Sequence, residues 1–299
     1  MNRDVRPPLF RRSHDSPEPF EVHADMTQIS LRTVLAVPAS SERFLAKAQK
    51  STASALMADL EDGVAEHDKH QGRLLVGRWA KRLGTPKRRL WLRVNATESP
   101  HLAADLAVLH DVADSVDALV LPKATTDAVA EVSSRTDLPL VALIETADGV
   151  ENAWHIAQHP AVRALMFGEL DYRAQLALSG GLHADNTSWA QARIVNAAAG
   201  ATIPSIAGPT VSVDDEQLLA SNCARQAGLG FTGKLCIHPA QLATVQAAFG
   251  PDAAMVARAR RILGAVGDGQ ATGAIAVDGD MVDQPVIARA RRILAEASQ

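Results

Sequence analysis

Cysteine is scarce: Cys223 and Cys236 are the only two in 299 residues. They fit no metal-binding spacing, and a structural disulfide is not expected. Both read as free thiols in a reducing compartment. Positive charge is not in excess either. A formal net charge of −4 and a pI near 6.2 give no footprint for nucleic acid. No apolar run is long enough to span a membrane. The opening MNRDVRPPLFRRSHDSPEPF has arginines but no apolar segment behind them, so it does not read as a secretory signal. The expected location is the cytoplasm. No G-x-G-x-x-G follows the first apolar run, which leaves an open doubly wound sheet without its main support.

With 47% hydrophobic residues, the chain can bury a large core. Residues 1–28 are rich in Pro, Arg and acids without periodicity and read as a flexible arm. Beyond them, short apolar runs alternate with helical spacing. The runs are Thr33–Val37, Leu56–Leu60, Leu90–Val94, Ala118–Leu121, Leu140–Ile144, Ala164–Phe167, Thr202–Ala207 and Gly233–Ile237. Helical segments such as Leu102–His110, Thr126–Ser133, Trp189–Ala198 and Asp214–Gln226 lie between them. Eight strand–helix units predict a (β/α)8 TIM barrel over residues 29–250. Trp91, Trp154 and Trp189 sit in apolar patterns and read as core.

In such a barrel the strand ends and the loops after them carry the site. Reading off those ends gives Pro38–Arg43, Asp59–Asp62, Arg93–Asn95, Lys123, Glu145, Glu169–Asp171 and His238. The stretch LVALIETADGVENAWHIAQHPAVRALMFGELD is the most informative. Its two apolar runs stop at Glu145 and at Glu169–Asp171, with helical spacing between them over Asn152–Gln158. Parallel strands deliver those acids to one rim. Two hard oxygen ligands with open remaining positions suit Mg²⁺. His238 reads as a packed, hydrogen-bonded rim residue. Residues 251–299 extend past the barrel: a helix Ala253–Gly264, a Gly-rich stretch 264–273 and a final helix from Gln284, together a helical lid.

The segments VPASSERFLAKA, MADLEDGVAEHDK, LWLRVN, LVLPKA, LVALIETADGVENA, MFGELDYRAQL, GFTGKLCIHPAQ and AVDGDMVDQPVIARARRIL come in that order. Together they resemble the citrate lyase β-subunit-like CoA-ester lyases of the HpcH/HpaI aldolase superfamily. The resemblance implies a TIM barrel with Mg²⁺ on Glu145 and Asp171 and with Arg93 at the substrate. Glu61 and Asp62 would contact metal-bound water. Ser41 and Arg43 would lie near the CoA moiety, and Lys123 near the mouth. The Asp278–Asp283 segment resembles a lid motif that acts across a subunit boundary in malyl-CoA lyases, which maps the catalytic acid–base role onto Asp283. Three positions depart from the family pattern: Pro38–Ala39 for Pro-Gly, G-E-L-D for G-[AS]-E-D, and Ala207–Gly208–Pro209 for a strand ending in Asp-Gly.

The resemblance implies Mg²⁺-dependent cleavage or formation of a β-hydroxyacyl-CoA such as malyl-, citramalyl- or citryl-CoA, into an acyl-CoA and a 2-oxo acid. A homo-oligomer, trimer or hexamer, is the expected assembly, without nucleic acid or membrane as partner. Two alternatives stay open: a CoA-independent metal-dependent 2-keto-acid aldolase, and a non-catalytic acyl-CoA-binding subunit.

Overall fold

The structure, a computed structural model, describes residues 31–179, 186–266 and 274–297. The arm at 1–28, and residues 267–273 of the Gly-rich stretch, lie outside the described residues. Eight parallel strands close into a barrel: β1 (Thr33–Pro38), β2 (Ala55–Asp59), β3 (Arg89–Arg93), β4 (Ala118–Leu121), β5 (Leu140–Ile144), β6 (Val162–Phe167), β7 (Ser205–Ala207) and β8 (Gly233–Cys236). β1 pairs with both β2 and β8, which closes the ring and excludes an open sheet.

Alternation along the strands builds two apolar layers. Inward-facing Val34, Met57, Trp91, Val120, Val141, Leu143, Met166 and Ile206 fill the barrel. Outward-facing Leu35, Leu56, Leu92, Leu121, Ile144 and Phe167 meet the helices. Each fully buried side chain of this size contributes roughly 1.5–3 kcal/mol, so the two layers dominate stability. Cys223 and Cys236 are free and buried in the outer layer. Burial pushes the Cys236 thiol up to about 12, the behaviour of a packing residue rather than a nucleophile.

Several elements differ from the sequence expectation. The helix expected over Asn152–Gln158 is present as Ala153–Ala157, but a further short helix, Ala147–Glu151, precedes it. The strand expected at Thr202–Ala207 starts only at Ser205. Helix Lys69–Leu83, not anticipated from the sequence, is the longest of the described helices. Trp91 is fully buried, but Trp154 is 45% and Trp189 57% exposed, so these two are not core residues. Trp154 packs over Gly200, where a Cβ would lie 2.3 Å from its ring. Arg193 stacks 5.4 Å from the Trp189 ring, so that tryptophan is served by a cation at the surface.

The C-terminal extension is a unit of its own. Helices Ala253–Val266 and Gln284–Ala297 pack on a hairpin of β9 (Ile275–Val277) and β10 (Asp280–Val282). Ala259, Ile262, Val277, Val282, Ile287 and Ala290 form its core, separate from the barrel's. Arg258 pairs with Asp280 and Arg261 with Asp278. Arg32, just before β1, donates to the Glu296 carbonyl at 3.0 Å, which ties the extension to the end of the barrel opposite the strand C-termini.

Candidate active site

The rim begins with a register match: Asp59 and Arg93, the last residues of β2 and β3, are direct partners. Arg93 grips Asp59 in a fork, Nε to Oδ1 at 2.7 Å and Nη2 to Oδ2 at 2.6 Å. Nη1 lies 2.9 Å from Glu61 Oε2, as an ion pair without hydrogen-bond geometry. Guanidinium carries five N–H donors, so donors on Nη1 and Nη2 remain for a ligand. Burial works against the Arg93 charge, but Asp59, Glu61 and Glu145 outweigh it and hold the guanidinium firmly protonated.

Lys123 links this pair to β5. It follows β4 in a left-handed conformation, φ 48°, which is uncommon for a residue with a Cβ. That geometry turns its backbone N–H onto Glu145 Oε1 at 2.8 Å. Its ammonium reaches Glu61 Oε1 at 3.4 Å while staying 44% exposed at the mouth.

Glu145, immediately after β5, is 3% exposed. Burial, then the charges of Glu61 and Asp171, push its carboxyl up to about 8. The same burial raises Glu61. The second oxygen of Glu145 packs against Gly168, where a Cβ would lie 2.5 Å from Oε2. Asp171 occupies the first turn of helix Glu169–Gln175 and is exposed. Glu145 and Asp171 therefore share a region from which like charge is repelled unless a cation intervenes. Among the described residues no three acidic, His or Cys side chains gather around one point. A cation here would have two protein carboxylates and open positions, which fits Mg²⁺.

The model of the HpcH/HpaI aldolase/citrate lyase family matches residues 32–239, from β1 to the turn after β8. The chain belongs to this family. The (3S)-malyl-CoA thioesterase of Cereibacter sphaeroides is 34% identical over 279 residues, covering 89% of this chain and 94% of that protein. The L-malyl-CoA/beta-methylmalyl-CoA lyase of Rhodobacter capsulatus is 30% identical over 293 residues, covering 87% and 92%. Among solved structures, CitE from Mycobacterium tuberculosis in complex with magnesium, acetoacetate and coenzyme A superposes with a TM-score of 0.77. That match has 30% identity and covers 90% of this chain and 99% of that one.

Within this family barrel, Glu61 and Glu145 lie within reach of each other's charges and of Arg93 and Lys123, and Asp171 lies within reach of Glu145. Asp62 is exposed beside Glu61. Ser41 caps helix Glu42–Ala48 by accepting from the Phe44 N–H at 3.4 Å, and Arg43 lies 5.0 Å from the Phe44 ring. The first loop is joined to β2 by Ala39 N–H to Asp59 O. Asp283 stands just before the final helix of the extension. It caps the final helix through the Val286 N–H at 3.4 Å, and among the described residues no hydrogen bond or ion pair joins it to the rim.

Three rim expectations need correction. Glu169 is buried, and its Oε1 accepts from Thr187 Oγ1 at 2.8 Å, so it braces the loop rather than facing a ligand. Asn95 lies buried behind the rim, on Asp105. His238 makes the expected kind of hydrogen bond, accepting from the Ala240 N–H, but it is exposed rather than packed. The sequence reading also passed over Asp59 as the partner of Arg93. Its position two residues before Glu61, at the end of an apolar run, was the available signal.

Proposed function

We propose that this protein is a Mg²⁺-dependent carbon–carbon lyase acting on a β-hydroxyacyl-CoA, with an acyl-CoA and a 2-oxo acid as the other side of the reaction. The observation that carries this reading is the pairing of a buried, cation-seeking Glu145 with a pre-held Arg93 on one barrel rim. Glu145 and Asp171 would hold Mg²⁺, which when bound supplies Lewis acidity toward the substrate's oxygens.

The chain's own groups do the rest. Arg93, fixed by Asp59 before substrate arrives, turns its remaining N–H donors to the thioester oxygen. When the carbon–carbon bond breaks, its electron pair passes into the thioester as an enolate, and Arg93 meets the charge that develops on oxygen. The β-hydroxyl gives its proton to water at the rim and becomes the carbonyl of the 2-oxo acid. Asp283 delivers a proton to the enolate carbon, or removes it in the condensing direction. Lys123 offers an ammonium at the mouth to the anionic substrate, and Ser41 with Arg43 lies on the CoA side. Asp62 and Glu61 order water at the rim.

Asp283 caps a helix of an extension tied to the far end of its own barrel. It therefore serves a neighbouring subunit, in a homo-oligomer that we assign as a trimer or hexamer. Relatives named as malyl-CoA lyase and as malyl-CoA thioesterase support a malyl-type CoA ester as the substrate class.

The test is a condensation assay. Acetyl-CoA or propionyl-CoA is offered with glyoxylate, pyruvate or oxaloacetate, and products are followed by mass. One adduct that forms with Mg²⁺ and disappears with EDTA is the expected result. CoA esters that bind without any adduct would favour a non-catalytic subunit. Failure to bind them at all would favour the CoA-independent aldolase.

A further inference from the structure

Lys69 closes the segment MADLEDGVAEHDK, and the chemistry above makes no use of it. It opens helix Lys69–Leu83, yet it is only 7% exposed. Its ammonium donates to the Leu60 and Glu61 carbonyls at 2.8 Å each and to Asn95 Oδ1 at 2.9 Å. Three donors meet three acceptors, so the charge is fully solvated by the protein. Asn95 is fixed in turn. Its side-chain amide donates to Asp105 Oδ2 at 2.6 Å, its backbone N–H meets the same oxygen at 2.8 Å, and Arg73 holds Oδ1 at 2.9 Å.

These bonds clamp the Leu60–Gly63 turn from behind. On the opposite side, the N–H groups of Glu61 and Gly63 donate to Asp59 Oδ1 and Oδ2, each at 2.9 Å. Asp59 is the carboxylate that forks Arg93. Carbonyls drawn to Lys69 and N–H groups presented to Asp59 belong to one short turn, so the orientation of one set fixes the other. We infer that Lys69 is a positioning residue for Arg93: the buried ammonium sets the peptide planes that aim Asp59, and Asp59 aims the guanidinium. The carboxylates proposed for the metal hang on β5 and on the helix after β6, and they meet this chain of contacts only indirectly, through Lys123 and the charges of Glu61 and Arg93. A general prop for the fold would disturb both halves of the rim alike, whereas this network bonds directly to the Arg93 half and reaches Glu145 only through Lys123.

The inference rests on the proposed function only where turnover is read, so the deciding experiment has a readout without it. Full-length protein labelled with ¹⁵N-arginine is examined by NMR, the Arg93 Nε–H signal being assigned by its loss in Arg93→Lys. In Lys69→Met the solvent exchange of that proton rises at least about ten-fold, while Mn²⁺ affinity stays within about two-fold of wild type. Asp105→Asn, which acts through Asn95, gives the same pattern, and the double variant adds little to either single change. It also carries the test should Lys69→Met fail to fold. For an active enzyme, kcat falls about ten-fold with KM for the CoA ester nearly unchanged. Unchanged exchange at Arg93 in a folded variant overturns the inference. So does a parallel loss of Arg93 protection and Mn²⁺ affinity, which would mark Lys69 as general scaffolding. A wild-type protein inactive toward every CoA ester would refute the proposed function, while the exchange rates still decide the role of Lys69.

Discussion

Burial of Glu145 leaves its carboxyl near pH 8, between the charges of Glu61 and Asp171, and this has measurable consequences. A cation must displace a proton there. Apparent Mg²⁺ affinity should therefore fall about ten-fold for each pH unit below about 8 and level off above it, as isothermal titration would show; a flat profile would place the metal elsewhere. The linkage to folding has a definite sign. The folded carboxyl sits above its ordinary 4.5, so the stability it confers is full below about 4.5 and is lost as pH rises through about 8. The melting temperature of the metal-free protein should drop across that window, and Glu145→Gln should flatten the drop. The amide keeps the bond from Lys123 N–H, so the variant folds. It nevertheless loses Mg²⁺ binding, and activity falls by at least about 100-fold, as does that of Asp171→Asn.

At the scale of elements, the strand ends place chemistry because neighbouring strands share register, and glycine sets the clearances. Gly168 follows β6, and an added Cβ would lie 2.4 Å from the Glu145 Cβ. Gly168→Ala should push Glu145 off its position and weaken Mn²⁺ binding by about ten-fold or more, with a smaller change in melting temperature; unaltered binding would show that the loop yields freely. The barrel and the acids Glu145 and Asp171 near its rim were legible in the sequence because the strands are compact apolar runs and because β5 and β6 stop at or just before an acid. Helix Lys69–Leu83 was not legible. Its glycines and charges mask the periodicity, and Gly72 is there because a Cβ would come within 3.0 Å of the Leu60 side chain. The exposed Trp154 and Trp189 were misread for a related reason: an apolar pattern marks one covered face and cannot show that the other is open. Glu169 looked like a rim acid until Thr187, far along the chain, was seen to hold it. Such tertiary partners leave no local trace.

Over the whole molecule, a barrel that carries Glu145, Asp171 and Arg93 is joined to an extension with its own core that carries Asp283. If Asp283 serves a neighbour, two defective chains can repair each other. Mixing Glu145→Gln with Asp283→Asn subunits, dissociated and reassembled together, should restore part of the activity that neither variant has alone. No recovery would place both groups in one chain. Asp283→Asn alone should slow deuterium exchange at the methyl group of acetyl-CoA, and wild-type exchange would remove Asp283 from the acid–base role.

The proposed chemistry breaks a carbon–carbon bond rather than the thioester, and relatives are named for each activity. The most direct measurement supplies malyl-CoA, citramalyl-CoA or citryl-CoA with Mg²⁺ in H₂¹⁸O and identifies the products by mass. An acyl-CoA and a 2-oxo acid from one of these esters, with no ¹⁸O in a released hydroxy acid, are the expected products. Free CoA together with an ¹⁸O-labelled hydroxy acid, and no acyl-CoA, would contradict the proposed chemistry.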